Sequence, residues 1–134
     1  NIARGSGLIS GIYQPGDVFD GNKIMGPYNK GKGYLPAGAL SDGTTTTSYG
    51  GGTCQVSSTL YNALLQLPGI NILYRRAHGE NAAPYLPHGV DAEVGNKTQN
   101  LRWRNDYDFP IRVEAHTSGD GALCMLIYRV YDGE

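Results

Sequence analysis

The sequence predicts an α+β fold, a single β-rich domain in which one main helix packs on a mostly antiparallel sheet. Three observations support this prediction. The length of 134 residues suits one domain with a single hydrophobic core. Glycine reaches 20 residues while only 17 % of residues are charged, which is typical of a domain rich in strands and loops. Only residues 55–67 have a long helical pattern of apolar side chains.

Turn sequences divide the first fifty residues. Proline and glycine cluster at residues 15–16, at 25–38 and at 40–52. The short apolar pieces between them, residues 7–13 and 33–35, are predicted to be short strands.

The main helix is predicted over residues 55–67. Its apolar side chains have the spacing i, i+4, i+7, i+8 and i+11 and form one stripe, which consists of Val56, Leu60, Ala63, Leu64 and Leu67. Pro68 and Gly69 end the helix, and Thr53 is suited to cap its start. Residues 70–76 then have the composition of a strand.

The second half of the chain is predicted to be mostly β. Residues 91–94, 100–105, 109–117 and 122–131 are rich in strand-forming side chains. Hairpin turns are predicted at residues 105–110 and 117–122. Both alternating sets of the last strand contain apolar residues, which predicts a strand that is covered on both faces.

Charge and hydropathy exclude some classes of function. The formal net charge of −1 gives no electrostatic reason to expect binding to nucleic acid or to an anionic membrane. No stretch approaches the eighteen apolar residues of a membrane-spanning helix. Because the chain begins at Asn1 without a starting Met, we expect residues 1–134 to be one domain of a longer protein.

The two cysteines, Cys54 and Cys124, do not form a recognisable metal or disulfide framework. There is no CxxC pair and no Cys/His cluster with zinc spacing, so we expect neither a metal nor another cofactor. A disulfide between the two is not expected either, because Cys124 lies in a strand with apolar neighbours, seventy residues away.

Cys54 lies where a glycine-rich loop becomes a helix. A helix start has unpaired N–H groups and about half a positive charge, which stabilise a thiolate. Glycines before it let backbone N–H groups approach a developing oxyanion. Cys54 therefore has the setting of a nucleophile. The alternative is that it is a small apolar residue of the core.

A nucleophilic thiol needs a base and a group that orients the base. Of the three histidines, His78 follows the helix and its strand and precedes Gly79, a setting where the imidazole can face a cleft. His88, between proline and glycine, and His116, at a strand end, are less suited. Candidate orienting groups are Glu80, Asp91 and Glu93.

Several motifs resemble the VanW family. Residues 50–65 read GGGTCQVSSTLYNALL, close to the family signature GGGxCQxS(S/T)TLYNA. In the same order come PGDVF, GPYNKGKGY, RRAHGENAAPYLPHGVDAEV and LRWRNDYDFPIRVEA, so the resemblance covers nearly the whole chain. His78 and Asp91 fall on the motif histidine and aspartate. Gly79 and Glu93 depart from the motif, which usually has Ser and Thr there.

The resemblance implies a cysteine L,D-transpeptidase that cross-links peptidoglycan stem peptides. Cys54 would be the nucleophile, His78 the base and Asp91 the residue that orients it. Backbone N–H groups of Gly51, Gly52 and Thr53 would form the oxyanion hole. The substrate-binding residues predicted on the same basis are Tyr49, Gln55, Ser57, Arg75, Arg76 and Tyr85, and Arg102 is a further candidate carboxylate-binding residue.

The same resemblance implies a location and partners. We expect a monomeric domain on the outer face of the cell envelope of a Gram-positive bacterium, tethered to other cell-wall domains. Its partners would be stem peptides, with neither nucleic acid binding nor membrane insertion by this fragment.

Two other functions are compatible with the sequence. The thiol could serve a peptidoglycan amide hydrolase, since papain-like and NlpC-type enzymes also place Cys at a helix start. Alternatively, the domain could bind cell-wall peptides without catalysis, with its ten tyrosines lining a groove. A cross-linked product would favour the transpeptidase over the hydrolase. A Cys54 that is inert in the folded protein would favour the binding module.

Overall fold

The computed structural model describes residues 1–41, 44–76, 92–95, 99–118 and 122–130, with side chains except at residues 38–47. Besides one 3-10 turn at Lys30–Lys32, the elements in chain order are α1 (Ile2–Ile9), β1 (Gly11–Tyr13), β2 (Val18–Asp20), α2 (Gly21–Met25), β3 (Ala37–Ser41), β4 (Thr44–Ser48), α3 (Thr53–Leu64), β5 (Ile70–Arg75), β6 (Leu101–Asn105), β7 (Ile111–Thr117) and β8 (Leu123–Arg129).

The described strands form two three-stranded sheets and one separate hairpin. The first sheet has the order β1-β7-β8 and the second the order β2-β6-β5, while β3 pairs with β4. Every pairing is antiparallel. These sheets and helices confirm the predicted α+β class.

The core lies between the helices and the two sheets. Trp103 of β6 is fully buried and stacks on Phe19 of β2, with ring centroids 5.3 Å apart. Val56, Leu60 and Leu64 of α3 are buried against the same cluster, as the predicted helical stripe requires. This packing fixes the direction of α3 and hence the position of its N-terminus.

The main helix is shifted relative to its predicted bounds. It begins at Thr53 and ends at Leu64, whereas residues 55–67 were expected. The residue that caps it is Gly52, in the left-handed region at φ 92°, and not Thr53. Glycine adopts this backbone conformation without strain, so the chain enters the helix one residue earlier than a threonine cap would allow.

Three short predicted strands are wrong in whole or in part. Residues 7–9 belong to α1, which the sequence did not indicate, and only Gly11–Tyr13 form a strand. Residues 33–35 contain no strand. Residues 92–94 also lie outside any strand, because their backbone groups bond mainly to side chains of α3. The prediction for residue 91 falls outside the described residues.

The predicted turn at residues 105–110 does not close a hairpin. It carries the chain from β6 in one sheet to β7 in the other. Asn105 explains this path: its side chain is fully buried, donates to the carbonyls of Tyr13 and Phe109, and accepts from the N–H of Tyr107. The other predicted hairpin is confirmed, since β7 pairs with β8.

The last strand is covered on one face only. Leu123, Met125 and Ile127 pack on the core, while Cys124, Leu126 and Tyr128 are exposed, which corrects the prediction of two covered faces.

Both cysteines are free thiols, as expected. Among the described residues, none of the helices has the length and hydropathy needed to traverse a bilayer.

Candidate active site

Cys54 is the second residue of α3 and is partly exposed. The loop before it is held by the side chain of Asn1. Its amide nitrogen lies 3.0 Å from the carbonyl of Tyr49 and 2.9 Å from that of Gly51, and its oxygen accepts from the N–H of Leu35 at 2.7 Å. The start of α1 therefore fixes the glycine loop that leads into the thiol.

A short extended segment, residues 92–95, crosses the first turns of α3. The N–H of Val94 lies 3.4 Å from Cys54 Sγ, and the carbonyl of Val94 lies 3.5 Å from it. One helical turn further, Ser58 Oγ accepts from the N–H of Ala92 at 2.8 Å and donates to its carbonyl at 3.1 Å. The N–H and the carbonyl of Val94 therefore both contact the sulfur atom.

The spacing of the two elements explains this fit. Alternate residues of an extended chain are about 6.6 Å apart, and residues i and i+4 of a helix are about 6 Å apart along the axis. Ala92 and Val94 can therefore face Ser58 and Cys54 together. Ser57, whose hydroxyl contacts the carbonyl of Ala92, adds a further bond to the same segment.

The opposite edge of the segment bonds to the end of β5. The N–H of Glu93 donates to the carbonyl of Arg76 at 2.8 Å. The carboxylate of Glu93 is nearly buried and lies 3.3 Å from Arg76 Nε. Glu93, one of the candidate orienting groups, is thus paired with Arg76.

Tyr28 and Asn22 form the third side of the site. The Tyr28 hydroxyl donates to Asn22 Oδ1 at 2.7 Å, and the N–H of Gly95 donates to the same oxygen at 2.9 Å. A Cβ atom at Gly50 would lie 3.5 Å from Tyr28, so the ring packs against the glycine loop. Burial is the main cause that raises the pKa of Tyr28, and the charges of Tyr34, Cys54 and Asp20 raise it further. Tyr28 is therefore a neutral donor close to the thiol.

An open cleft of about 640 Å³ adjoins this side. Tyr28 and Gly95 are shared between the cleft and the surroundings of Cys54. The lining contains both charges and amides and consists of Asp20, Asn22, Lys23, Gly26, Pro27, Tyr28, Gly95 and Asn100. The cleft therefore offers space for a polar ligand beside Tyr28 and Gly95.

Two of the three predicted oxyanion donors already have acceptors. The N–H of Gly51 donates to Ser48 at 3.2 Å, and that of Thr53 to Gly50 at 3.1 Å. Within the described part of the chain, the N–H groups of Gly52 and Gln55 donate to no acceptor. These two are better placed to bind an oxyanion at the positive end of α3.

The other predicted site residues have varied positions. Tyr49 is partly exposed beside the glycine loop, and Gln55 is half-buried in the first turn of α3. Ser57 is buried and supports residues 92–95. Arg75 lies over the ring of Tyr61, and Arg102, the further candidate, lies over that of Tyr74. The predicted residues His78, Tyr85 and Asp91 lie outside the described residues.

Sequence reasoning did not identify Asn22, Tyr28, Ser58 and Val94. Asn22 and Tyr28 lie in turn sequences, where polar residues are common for local reasons. Val94 acts through its backbone, which no side-chain pattern reveals. The regular alternation of DAEV next to the motif aspartate was the one available signal.

The chain belongs to the VanW-like family, since the family described as "VanW like protein" matches residues 1–128. It is 36 % identical over 117 residues to "Uncharacterized protein YoaR" of Bacillus subtilis (strain 168), covering 87 % of this chain and 38 % of that protein. It is 29 % identical over 113 residues to "Vancomycin B-type resistance protein VanW" of Enterococcus faecalis (strain ATCC 700802 / V583), covering 81 % of this chain and 41 % of that protein. The chain therefore spans about two fifths of the length of these relatives. No solved structure matches it.

Proposed function

We propose that this domain is a cysteine L,D-transpeptidase that acts on peptidoglycan stem peptides. The observation that carries the proposal is the position of Cys54, a partly exposed thiol in the first turn of α3 with the N–H of Val94 3.4 Å from its sulfur. A helix N-terminus and a backbone donor both stabilise a thiolate, the nucleophilic form of cysteine. One relative is named for vancomycin resistance, which is compatible with a role in cell-wall chemistry.

In the first half of the proposed reaction, the Cys54 thiolate attacks the carbonyl carbon of the third residue of a tetrapeptide stem. A carbon–sulfur bond forms, and the negative charge moves to the carbonyl oxygen. The N–H groups of Gly52 and Gln55 are positioned to stabilise that charge. The carbon–nitrogen bond to the terminal D-Ala then breaks, and His78 donates the proton that it took from Cys54 to the leaving amine.

In the second half, an amine from the side chain of another stem attacks the thioester. A new carbon–nitrogen bond forms and the carbon–sulfur bond breaks, which returns the thiolate. His78 takes the proton of the attacking amine, and Asp91 holds the imidazole in the required tautomer. The cleft beside Tyr28 and Gly95 is the proposed position of one of the two stems. Arg75, Arg76, Tyr49 and Tyr85 remain proposed substrate contacts.

Mass spectrometry of the intact protein after incubation with a disaccharide-tetrapeptide tests the proposal. We expect an adduct equal to the substrate minus D-Ala, located on Cys54, and a cross-linked dimer among the products. Cys54→Ala should abolish both while the fold is retained, because a partly exposed thiol contributes little packing. Cys124→Ala is the matched control and should behave like the wild type, since Cys124 is exposed on β8.

The products separate the proposal from its alternatives. If the product is a shortened free stem and no dimer forms, the reaction is hydrolysis and not transfer. Binding of the stem without any adduct would favour a non-catalytic binding module. Cross-linking that survives Cys54→Ala would exclude Cys54 as the nucleophile.

A further inference from the structure

Asn22 of α2 connects three parts of the chain that surround the thiol. Its Oδ1 accepts from the hydroxyl of Tyr28 at 2.7 Å and from the N–H of Gly95 at 2.9 Å. Its Nδ2 donates to the carbonyl of Gln99, and its own N–H donates to Asn100 Oδ1, both at 2.9 Å. One side chain therefore attaches the segment of residues 92–95 to α2.

The bond to Gly95 acts on an atom that contacts the sulfur. The carbonyl of Val94 and the N–H of Gly95 belong to one planar peptide unit. That carbonyl lies 3.5 Å from Cys54 Sγ, while the N–H on its other side is held by Asn22. This bond fixes the orientation of that peptide plane. The N–H of Val94 belongs to the preceding peptide unit, which is joined to the fixed plane through the Cα atom of Val94.

We propose that Asn22 is a positioning residue that keeps the backbone of Val94 on Cys54 Sγ and thereby stabilises the thiolate. The inference rests on the proposed role of Cys54 as the nucleophile, but not on the identity of the substrate. Releasing Gly95 would free the peptide unit of the Val94 carbonyl directly and would let the adjoining N–H of Val94 move away from the sulfur through the shared Cα atom. The N–H contact matters more for the ionised sulfur, because a charge-assisted hydrogen bond is about twice as strong as a neutral one.

Among the described residues, three other charged or titratable groups bear on Cys54. Tyr28, from the loop after α2, is the described residue whose ionisation is coupled to that of Cys54. Asp20 acts on Tyr28 in the same direction. Glu93, on the crossing segment, is paired with Arg76. Replacing Asn22 changes no charge, but it also removes the acceptor of the Tyr28 hydroxyl. Tyr28→Phe removes that bond and leaves Gly95 bonded to Asn22, so a rise in the pKa of Cys54 in the Asn22 variant but not in Tyr28→Phe reports on the position of Val94.

The test is the pH dependence of alkylation by iodoacetamide, followed by mass spectrometry of the peptides that contain Cys54 and Cys124. In the wild type, we expect Cys54 to react with a pKa below the usual value of about 8.5. Asn22→Ala should raise that pKa by about half a unit to one unit, while the profile of Cys124 stays the same. Asn62→Ala is the matched control, because Asn62 lies on α3 and bonds to the carbonyl of Ser58.

Circular dichroism of each sample separates this effect from unfolding. If Asn22→Ala does not fold, Asn22→Ser replaces it, since the hydroxyl is one bond too short to reach Gly95. A folded Asn22 variant with the wild-type Cys54 profile would overturn the inference and leave the proposed function intact. A wild-type Cys54 that ionises near about 8.5 would instead contradict its role as an activated nucleophile and with it the proposed function.

Discussion

Ser58 and Ser6 are both buried serines on helices, but their hydroxyl groups have different surroundings. Ser58 Oγ exchanges hydrogen bonds with both the N–H and the carbonyl of Ala92. Ser6 Oγ is buried and has no hydrogen-bond partner among the described residues. Replacing each serine by alanine therefore separates two effects. One is the loss of the hydrogen bonds that hold residues 92–95, and the other is the general effect of removing a buried hydroxyl group.

Ser58→Ala should lower the free energy of unfolding by about 1–3 kcal/mol, because it leaves the buried N–H of Ala92 without its acceptor, while the carbonyl of Ala92 keeps its contact with Ser57. It should also slow the alkylation of Cys54, since the segment that carries Val94 is then held less firmly. Ser6→Ala should be neutral or slightly stabilising. Urea unfolding of the three proteins measures this, and equal losses for the two variants would contradict the assigned role of Ser58.

The sequence identified Cys54 but not the groups that contact it. A glycine-rich loop followed by a helical stripe is a local signal, and it was sufficient to place the thiol at a helix start. The contacts of Val94 and Asn22 join residues that are far apart along the chain, at separations of 40 and 73 residues. No local propensity contains that information, so it needs the fold.

At the scale of the elements, Gly52 sets the start of α3. Its φ of +92° favours glycine, and a Cβ atom there would lie 3.2 Å from Ile2 Cγ1 of α1. Gly52→Ala should therefore destabilise the protein by about 1 kcal/mol or more, through backbone strain together with the close contact. It should also lower the reactivity of Cys54, because the first turn of α3 would have to shift.

Gly50→Ala is the matched control for this prediction. A Cβ atom at Gly50 would be 3.5 Å from Tyr28, an ordinary van der Waals contact, and no left-handed conformation is required there. Thermal unfolding should show a clear loss for Gly52→Ala and a much smaller one for Gly50→Ala. If Gly52→Ala were as stable as the wild type, the left-handed cap would not matter for this helix.

Whether an element could be predicted from the sequence depends on the interactions that stabilise it. β6 was predicted from its strand-forming composition, which is a local property, and the structure shows that Leu101, Trp103 and Asn105 alternate there with more exposed residues. α1 was missed because its eight residues include two glycines, which have low helix propensity. Burial of Ile9 and the close approach of Gly5 to Val56 stabilise it instead, and neither is a local property.

At the scale of the whole molecule, three tyrosines link stability to alkaline pH. Burial raises the pKa of Tyr13, Tyr28 and Tyr34 above the usual value of 10.0. For a group whose folded pKa is raised, the stabilising contribution is complete below the unfolded pKa and is lost as pH rises toward the folded one. Tyr13 and Tyr28 should each lower the free energy of unfolding by about 1.4 kcal/mol per pH unit above pH 10, and Tyr34 should act in the same direction.

Urea unfolding between pH 8 and pH 11 measures this slope, and phenolate absorbance gives the number of tyrosines that ionise in the folded state. Tyr28→Phe should make the decline shallower. Titration of all ten tyrosines of the native protein near pH 10, without loss of stability, would contradict the prediction.

The pair of contacts between Val94 and Cys54 has a consequence for the rate at which the sulfur changes its charge. The protonated sulfur needs an acceptor and the ionised sulfur needs a donor, and one residue presents both, at 3.5 Å and 3.4 Å. Loss of the proton therefore exchanges one existing partner for another without moving the chain. The reorganisation energy of ionisation should be small, so the thiol could pass between its two states in each cycle of the proposed reaction at little energetic cost.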